Sequence, residues 1–154
     1  MNEIIYGRAA QEILEAIVEN GLPLGWGPIP KECLSSREAL MELWLAPNSV
    51  LAQDLEGKLV YANRKALSFF GYNQDEFIGM PSLNLVPDKP GVKEKRTKII
   101  KEILATGDVK NFYGTERIQK GGKPIQVPHW AGYRYKLGES YSFGAILFHN
   151  STRK

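Results

Sequence analysis

The sequence predicts an α+β fold, in which a five-stranded antiparallel sheet carries helices on one face and follows an N-terminal helical extension. Three observations predict it. The first 47 residues have helical periodicity, and two short strand-like runs joined by a tight turn follow them. Beyond a longer helix, the last third of the chain is rich in β-branched and aromatic residues. We therefore divide the chain into an extension over residues 1–47 and one domain over residues 48–150.

The composition is typical of a globular domain. The chain has 154 residues, of which 43% are hydrophobic and 24% are charged, enough to form a core. Its 20 basic and 17 acidic residues give a net charge of +3, which is too small to predict nucleic-acid binding. The basic run over residues 89–103 is interrupted by Glu94 and Glu102, as on a solvated helix face. We expect no nucleic-acid partner.

Three further features bear on location and cofactors. Cys33 is the one cysteine, which excludes an internal disulfide and a cysteine-rich zinc site. Acidic residues interrupt the apolar N-terminal segment, so it does not resemble a signal peptide. No apolar run approaches the roughly 20 residues of a membrane span. We expect a cytoplasmic protein that does not bind membranes.

The extension is predicted to contain two helices. The first covers residues 3–19, where the apolar residues at helical spacing are Ile4, Ile5, Ala9, Ile13, Ala16 and Ile17. A loop rich in glycine and proline follows over residues 21–30. Ser35 and Glu38 form a capping-box pattern that opens the second helix, which ends before Pro47. Its predicted apolar side is Ala39, Leu40, Leu43 and Trp44.

The middle of the chain alternates strands and helices. Strands are predicted over residues 49–54 and 58–62, with Gly57 in the turn between them. Asn63 can cap a helix over residues 64–70, and Asn73 can cap a second short helical turn. A longer helix is predicted over residues 92–105 and ends at Gly107. The predicted buried side of this helix is Val92, Ile99, Ile100, Ile103 and Leu104.

The last three strands are predicted over residues 108–119, 123–135 and 140–150. The turns KGGK and KLGES join them as hairpins. The register of the middle strand stays open, because alternation permits two inward-facing sets. One set contains Gln126, Pro128 and Trp130, and the other contains Val127 and His129.

Residues 49–80 resemble the first half of a PAS domain. The matching positions are Asp54, Gly57, Asn63, Gly71, Tyr72, Glu76, Phe77, Ile78 and Gly79. The resemblance extends over about residues 48–149. The segments WLAPNSVLAQD and YGTERIQKGGKPIQV are similar to the MEKHLA subgroup of PAS domains. This resemblance implies that the N-terminal helices belong to the family's own extension.

The resemblance implies a non-enzymatic sensory or regulatory module that binds a small ligand or a protein partner, in signal transduction or transcription regulation. The residues expected to line its pocket are Leu51, Val60, Ala62, Ala66, Phe70, Leu83, Ile99 and Ile103, with His129 as a candidate polar anchor. Whether these residues line a pocket or fill the core is left open. The cofactor is left unknown. Residues 81–84 lack the cysteine of flavin-adduct photoreceptors, and the long helix lacks the axial histidine of haem sensors.

Other functions are weighed against this one. The isoleucine stripe of the first helix would be exposed in a monomer, which predicts a homodimer through the N-terminal helices. A small enzyme is the alternative, with His129 as base and Tyr113 or Tyr133 as acid, and a ligand-free interaction scaffold is another. Asp75 and Glu76 are adjacent and so point apart, which argues against a catalytic dyad.

The second histidine, His149, is expected on the surface near the C-terminus. The two histidines lie on different predicted strands without a carboxylate motif, so no metal site is predicted.

Overall fold

The computed structural model describes residues 3–24, 32 and 36–149. Cys33, Ser35 and most of the predicted loop over residues 21–30 lie outside this part of the chain. The helices are α1 (Glu3–Tyr6), α2 (Arg8–Glu19), α3 (Arg37–Leu45), α4 (Arg64–Phe70), α5 (Gln74–Phe77) and α6 (Val92–Thr106), with a 3-10 helix at Ser82–Leu85. The strands are β1 (Ser49–Gln53), β2 (Leu59–Ala62), β3 (Lys110–Ile118), β4 (Pro124–Leu137) and β5 (Ser140–Phe148).

The five strands form one antiparallel sheet in the order β2-β1-β5-β4-β3, which confirms the predicted fold class. The hairpin turns between β3, β4 and β5 are also as predicted. The first predicted helix is divided, because Gly7 has an extended backbone and separates α1 from α2. The long helix runs to Thr106 and ends at Gly107, whose left-handed φ of 77° suits glycine.

Helices cover both faces of the sheet. On one face, α4, α5 and α6 enclose a core that includes Phe70, Phe77 and Ile103. On the other face, α2 and α3 enclose a second core with the inward side chains of β1, β4 and β5. The sequence predicted the N-terminal extension but not its position. Its helices complete the second layer of the domain.

The isoleucine stripe of α2 is buried within the chain. Ile13 and Ile17 have no exposed surface, and both pack in a core that also contains Ala131 and Tyr133 of β4. An exposed stripe was the reason for predicting a homodimer, and that premise is wrong. The homodimer itself stays a prediction without this support.

Asn63 joins four segments of the chain through its side-chain amide. Its Oδ1 accepts hydrogen bonds from the backbone N–H of Val50 at 3.0 Å and of Ala66 at 3.1 Å. Its Nδ2 donates to the carbonyl of Leu43 at 3.1 Å and of Asn48 at 2.9 Å. The residue is fully buried, and these four bonds use its whole hydrogen-bonding capacity. The predicted cap of α4 is confirmed, and the same amide also positions α3 and β1.

Two other caps begin short helices. Asn73 and Glu76 form a reciprocal capping box at α5, as the sequence predicted for Asn73. At α3 the capping residue is Ser36, whose Oγ accepts from the backbone N–H of Ala39 at 3.1 Å. The predicted cap, Ser35, lies outside the residues that the structure describes.

Replacing Asn63 with alanine should lower the free energy of unfolding by about 3 kcal/mol or more, because it removes four hydrogen bonds and leaves the buried N–H groups of Val50 and Ala66 without this acceptor. Asn73→Ala is the matched control. Its cap is exposed, so its loss should cost only about 1 kcal/mol. Urea denaturation measures both values, and equal losses would contradict the central role of Asn63.

Three buried tyrosines of the second core differ in their hydroxyl groups. The Tyr135 hydroxyl donates to the backbone carbonyl of Gln53 at 2.8 Å. The hydroxyls of Tyr61 and Tyr133 have no hydrogen-bond partner within the described part of the chain. Burial raises the pKa of all three phenols above the ordinary value, so they stay neutral.

Tyr135→Phe should therefore destabilise the protein by about 1 kcal/mol, because it removes a formed hydrogen bond and leaves the carbonyl of Gln53 with one donor fewer. Tyr133→Phe should leave stability unchanged or raise it, because it removes a buried hydroxyl that has no partner. The two variants differ in position but not in chemistry. Denaturant unfolding, analysed with the same dependence of free energy on denaturant concentration, gives the unfolding free energy of both variants. A larger loss of unfolding free energy in Tyr133→Phe than in Tyr135→Phe would refute this account.

Candidate ligand-binding site

Two adjoining spaces lie between the sheet and the helices of its first face. The inner cavity has a volume of about 40 Å³ and the outer groove, between α6 and β3, has a volume of about 330 Å³. Four residues line both spaces, namely Val86, Arg96, Arg117 and Trp130. The two spaces therefore form one candidate site with an apolar interior and an outer opening.

The inner cavity is apolar except at one end. Its walls include Phe70 of α4, Val127 of β4 and Ala145 of β5. Aromatic and branched side chains fill most of the hollow, so the remaining space suits only a group of a few heavy atoms. At the polar end lie Gln53, Ser82 and Arg96.

The polar end is a closed hydrogen-bond cluster. Ser82 Oγ donates to Gln53 Oε1 at 2.6 Å, and Arg96 Nη2 lies 2.9 Å from Gln53 Oε1 and 3.0 Å from Ser82 Oγ. Gln53 and Ser82 are buried. The backbone carbonyl of Gln53 accepts from Tyr135 and from Ser142. Gln53 thus connects the candidate site with the second core.

Arg96 and Arg117 are half-buried cations beside each other. Burial lowers the pKa of Arg96 to about 10. Burial, together with the nearby charge of Arg96, lowers the pKa of Arg117 to about 10. Neither guanidinium forms an ion pair with a carboxylate of residues 3–24, 32 or 36–149. Both still carry their charge at neutral pH.

Aromatic rings support both guanidinium groups. Arg117 lies 5.4 Å from the ring centre of Trp130, and its Nη1 donates to the backbone carbonyl of Glu116 at 2.9 Å. Arg96 lies 5.9 Å from the ring centre of Phe143. Cation–π contacts of this kind stabilise a cation weakly and leave N–H groups available to a ligand.

The outer groove is lined by residues of β3 and β4 that a regular strand pair would not place on one face. The ring of Phe112 stacks on Trp130 at 4.5 Å, and Trp130 Nε1 donates to Thr115 Oγ1 at 3.1 Å. Phe112 and Thr115 are three positions apart, whereas strand alternation has a period of two. Both strands therefore change face between these positions.

The change of face occurs where Gly114 is opposite Pro128. Gly114 has a left-handed φ of 68°, which suits glycine, and Pro128 has no N–H to donate to the ladder. The register is the same on both sides of this step, with Tyr113 paired to His129 and Thr115 paired to Val127. Neither of the two registers considered from the sequence applies to the whole strand, because Val127 and Trp130 both face the candidate site.

Comparisons with known proteins agree with this geometry. The MEKHLA domain model matches residues 28–134. The chain belongs to the MEKHLA domain family. The match begins within the predicted extension and includes α3 of this MEKHLA domain. No curated protein matches the sequence significantly.

Solved structures similar to this MEKHLA domain are PAS domains. A PAS domain from Colwellia psychrerythraea superposes with a TM-score of 0.63 at 15% identity, over 76% of this chain and 98% of that one. A PAS domain of an HTR-like protein from Haloarcula marismortui superposes with a TM-score of 0.59 at 17% identity. The match covers 75% of this chain and 93% of that one. The PAS domain of a LuxR-family transcriptional regulator from Burkholderia thailandensis, solved in complex with ethanol, superposes with a TM-score of 0.51 at 15% identity. The match covers 69% of this chain and 92% of that one. These likenesses show the fold.

The predicted pocket residues fall into distinct groups in the MEKHLA domain. Leu51 and Phe70 line the inner cavity, and Ile99 lines the outer groove. Ala62, Ala66 and Ile103 are buried in the same core without lining either space. Val60, Leu83 and His129 lie elsewhere.

Local irregularities of the backbone keep Val60 and Leu83 out of the candidate site. The pairing of β1 with β2 shifts between Ala52 and Gln53, so Leu59 lines the cavity while Val60 packs on the opposite core. Leu83 is 42% exposed, because its 3-10 helix turns Ser82 and Leu85 inward instead.

His129 lies on the other side of β4 from the candidate site. Its ring stacks between Tyr113 and Phe148, at 4.5 Å from each, and its Nε2 is 2.8 Å from Asn111 Oδ1. Tyr133, the other tyrosine of the alternative enzyme hypothesis, lies in the core under the N-terminal helices. Of the two tyrosines in that hypothesis, the structure therefore brings Tyr113 next to His129 but not Tyr133.

The sequence analysis missed Gln53, Ser82, Arg96 and Arg117. For Arg96 a signal exists, because the residue lies four positions after Val92 and three before Ile99, on the predicted buried side of the helix. A charged residue within an apolar stripe indicates a site or a buried pair. The other three depend on the bulge of β2 opposite Gln53, the 3-10 helix and the change of face in β3, none of which periodicity predicts.

The site does not fit the large cofactors of some PAS domains. Among the residues that the structure describes, no histidine or cysteine lines the inner cavity or the outer groove. The inner cavity alone, at about 40 Å³, is too small to enclose a flavin or a haem, because cofactor sites have volumes of roughly 300–1,000 Å³. Among the residues described, no three or more His, Cys, Asp or Glu side chains are grouped to hold a metal ion.

The acidic residues Asp75 and Glu76 are part of the fold. Glu76 is exposed, caps α5 and pairs with Lys120 of the hairpin turn, which lowers the pKa of its carboxyl.

None of the described helices has the length and apolar character to cross a bilayer.

His149 is half-buried, and it is held by contacts that the expectation of a surface position did not include. Its Nε2 lies 2.5 Å from Ser49 Oγ, and its ring packs at 4.4 Å from that of Phe69. Burial, with a smaller effect of the Lys65 charge, lowers the pKa of His149 from 6.5 to about 4. The folded protein therefore holds the imidazole neutral where an unfolded chain would protonate it.

Between pH 6.5 and 4 the unfolded chain binds a proton at His149 that the folded chain does not, so stability should fall as the pH is lowered through this window. Allowing for solvent screening of a half-exposed ring, we expect a loss of about 1 kcal/mol. His149→Gln is the control, because it keeps a polar side chain without titration. The wild-type protein should lose more unfolding free energy across this range than the variant, and parallel pH profiles would contradict the prediction.

Proposed function

We propose that this MEKHLA domain is a non-enzymatic sensory or regulatory module, which binds a small molecule in the inner cavity and outer groove. One observation carries the proposal. An apolar cavity ends at the polar cluster of Gln53, Ser82 and Arg96 and adjoins a wider groove to the outside. Apolar walls with a few converging polar groups are typical of small-molecule sites. The cytoplasm remains our prediction for its location.

A neighbouring structure supports the size of the ligand. The Burkholderia thailandensis PAS domain was solved in complex with ethanol. A cavity of about 40 Å³ suits a molecule, or a molecular fragment, of that size. We propose that the inner cavity receives such a group, and that the larger part of a ligand occupies the groove.

The proposed signal passes through β4. Trp130 of this strand lines the site, while Ala131, Tyr133 and Tyr135 pack under the N-terminal helices. A ligand that favours one arrangement of Trp130 therefore acts on a strand whose other face supports α2. Binding shifts the equilibrium only by its difference in affinity for the two arrangements.

Ala145→Leu tests the cavity, because it extends a side chain into the space from β5. Titration of the labelled protein with ethanol and with benzyl alcohol should give saturating NMR shifts at Leu51 and Phe70, and Ala145→Leu should abolish them. Ala105→Leu is the matched control, because Ala105 is exposed on α6. Shifts that never saturate, or that persist in Ala145→Leu, would argue against the proposal.

The same titration tests the signal. Amide hydrogen exchange should change in α2 when the cavity is occupied, although α2 touches no ligand. An unchanged exchange pattern in α2, with binding intact, would refute the proposed route through β4.

A further inference from the structure

The outer groove has an excess of positive charge. Four cations line it, namely Lys89, Lys95, Arg96 and Arg117. Glu116 is the one acidic residue among its described lining residues, and it already pairs with Lys89 at 2.6 Å. The two arginines lie deepest, because they alone of these cations also line the inner cavity.

The protein itself does not compensate the two arginines. Arg96 bonds to the neutral groups of Gln53 and Ser82, and Arg117 bonds to a backbone carbonyl. A guanidinium has five N–H donors, so both retain donors without a bond to any described residue. The charge of Arg96 also disfavours the charged form of Arg117 and lowers its pKa. Half-buried like charges without a counter-ion are a recognised feature of binding sites.

The walls of the groove determine the rest of the ligand. Ile99 and Ile100 of α6 face Phe112 and Trp130 of β3 and β4 across it. The stacked rings of Phe112 and Trp130 form a flat apolar surface next to Arg117. A purely inorganic ion would leave this surface unused, whereas an aromatic or branched apolar group would cover it.

We propose that the ligand is a small organic carboxylate, whose anionic group lies between the guanidinium groups of Arg96 and Arg117 and whose apolar body lies in the outer groove. Arginine is suited to this task, because its planar fork matches a carboxylate with two parallel hydrogen bonds. This inference rests on the proposed function and specifies the chemical class that the site accepts.

Isothermal titration with phenylacetate, and with its neutral isostere phenylacetamide, tests the charge. Phenylacetate should bind at least about tenfold more tightly, because the amide cannot form charge-assisted bonds to two guanidinium groups. Octanoate and octanamide provide a second pair with an aliphatic body. Equal affinity within both pairs would overturn the inference. Binding of inorganic phosphate alone, without either carboxylate, would also overturn it.

Arg117→Met separates a binding role from a structural one. The variant keeps an unbranched apolar side chain and removes a cation that Arg96 repels. The unliganded variant should have an unchanged or higher melting temperature, and the stabilisation by phenylacetate should disappear. A lower melting temperature with retained stabilisation by phenylacetate would show that Arg117 serves the fold and would overturn the inference.

Arg134→Met is the matched control. The Arg134 guanidinium donates to the carbonyl of Leu104 at 3.0 Å and lies 4.0 Å from the ring centre of Tyr141. This variant should melt at a lower temperature and still be stabilised by phenylacetate. Loss of that stabilisation in both arginine variants would indicate a general effect of charge and would count against the assigned site.

The two proposals fail in different ways. If the alcohols bind and Ala145→Leu blocks them, while the carboxylates bind no better than their amides, the proposed function holds and the carboxylate inference fails. If neither the alcohols nor any carboxylate or amide binds, both fail.

Discussion

The buried amide of Asn63 is the interaction on which the arrangement of the two layers depends. Its four hydrogen bonds connect the end of α3, the segment before β1, β1 itself and the first turn of α4. α3 belongs to the layer on one face of the sheet and α4 to the layer on the other. One side chain therefore fixes both layers to the same pair of strands. No shorter or charged side chain offers two donors and two acceptors in the same plane.

β1 and β4 are walls shared by the two cores, because each strand has side chains in both. Gln53 shows the consequence at a single residue, because its side chain belongs to the polar end of the site while its carbonyl receives the Tyr135 hydroxyl. Arg96 and Ser82 are therefore connected to Tyr135 through the side chain and the backbone carbonyl of Gln53. Packed interiors transmit displacements because they have little free volume to absorb them. The fold thus provides a physical connection between the groove and the N-terminal helices.

The sequence pattern predicts the elements of this protein, because α2 buries one regular stripe and β5 is a continuous apolar run that is buried on both faces of the sheet. It also locates the cap at Asn63, where the strand ends and the helix begins. The assignments of Val60, Leu83 and His129 to the pocket depended on regular alternation, and each residue lies beside an irregularity. The bulge at Val60, the 3-10 helix and the step at Gly114 each interrupt that alternation. Only the structure brings Gln53, Ser82 and the two arginines together.

The position of Trp130 also gives the protein a built-in optical probe. The chain contains three tryptophans: Trp130 stacks on Phe112 at the edge of the groove, Trp44 lies on α3, and Trp26 lies outside the described residues. Indole emission responds to nearby charge and to water, and Arg117 lies directly over the Trp130 ring. Trp44→Phe and Trp26→Phe together would leave a single fluorophore at the groove. The emission wavelength and the quenching of Trp130 would then report ligand binding at the groove in real time, without any attached dye.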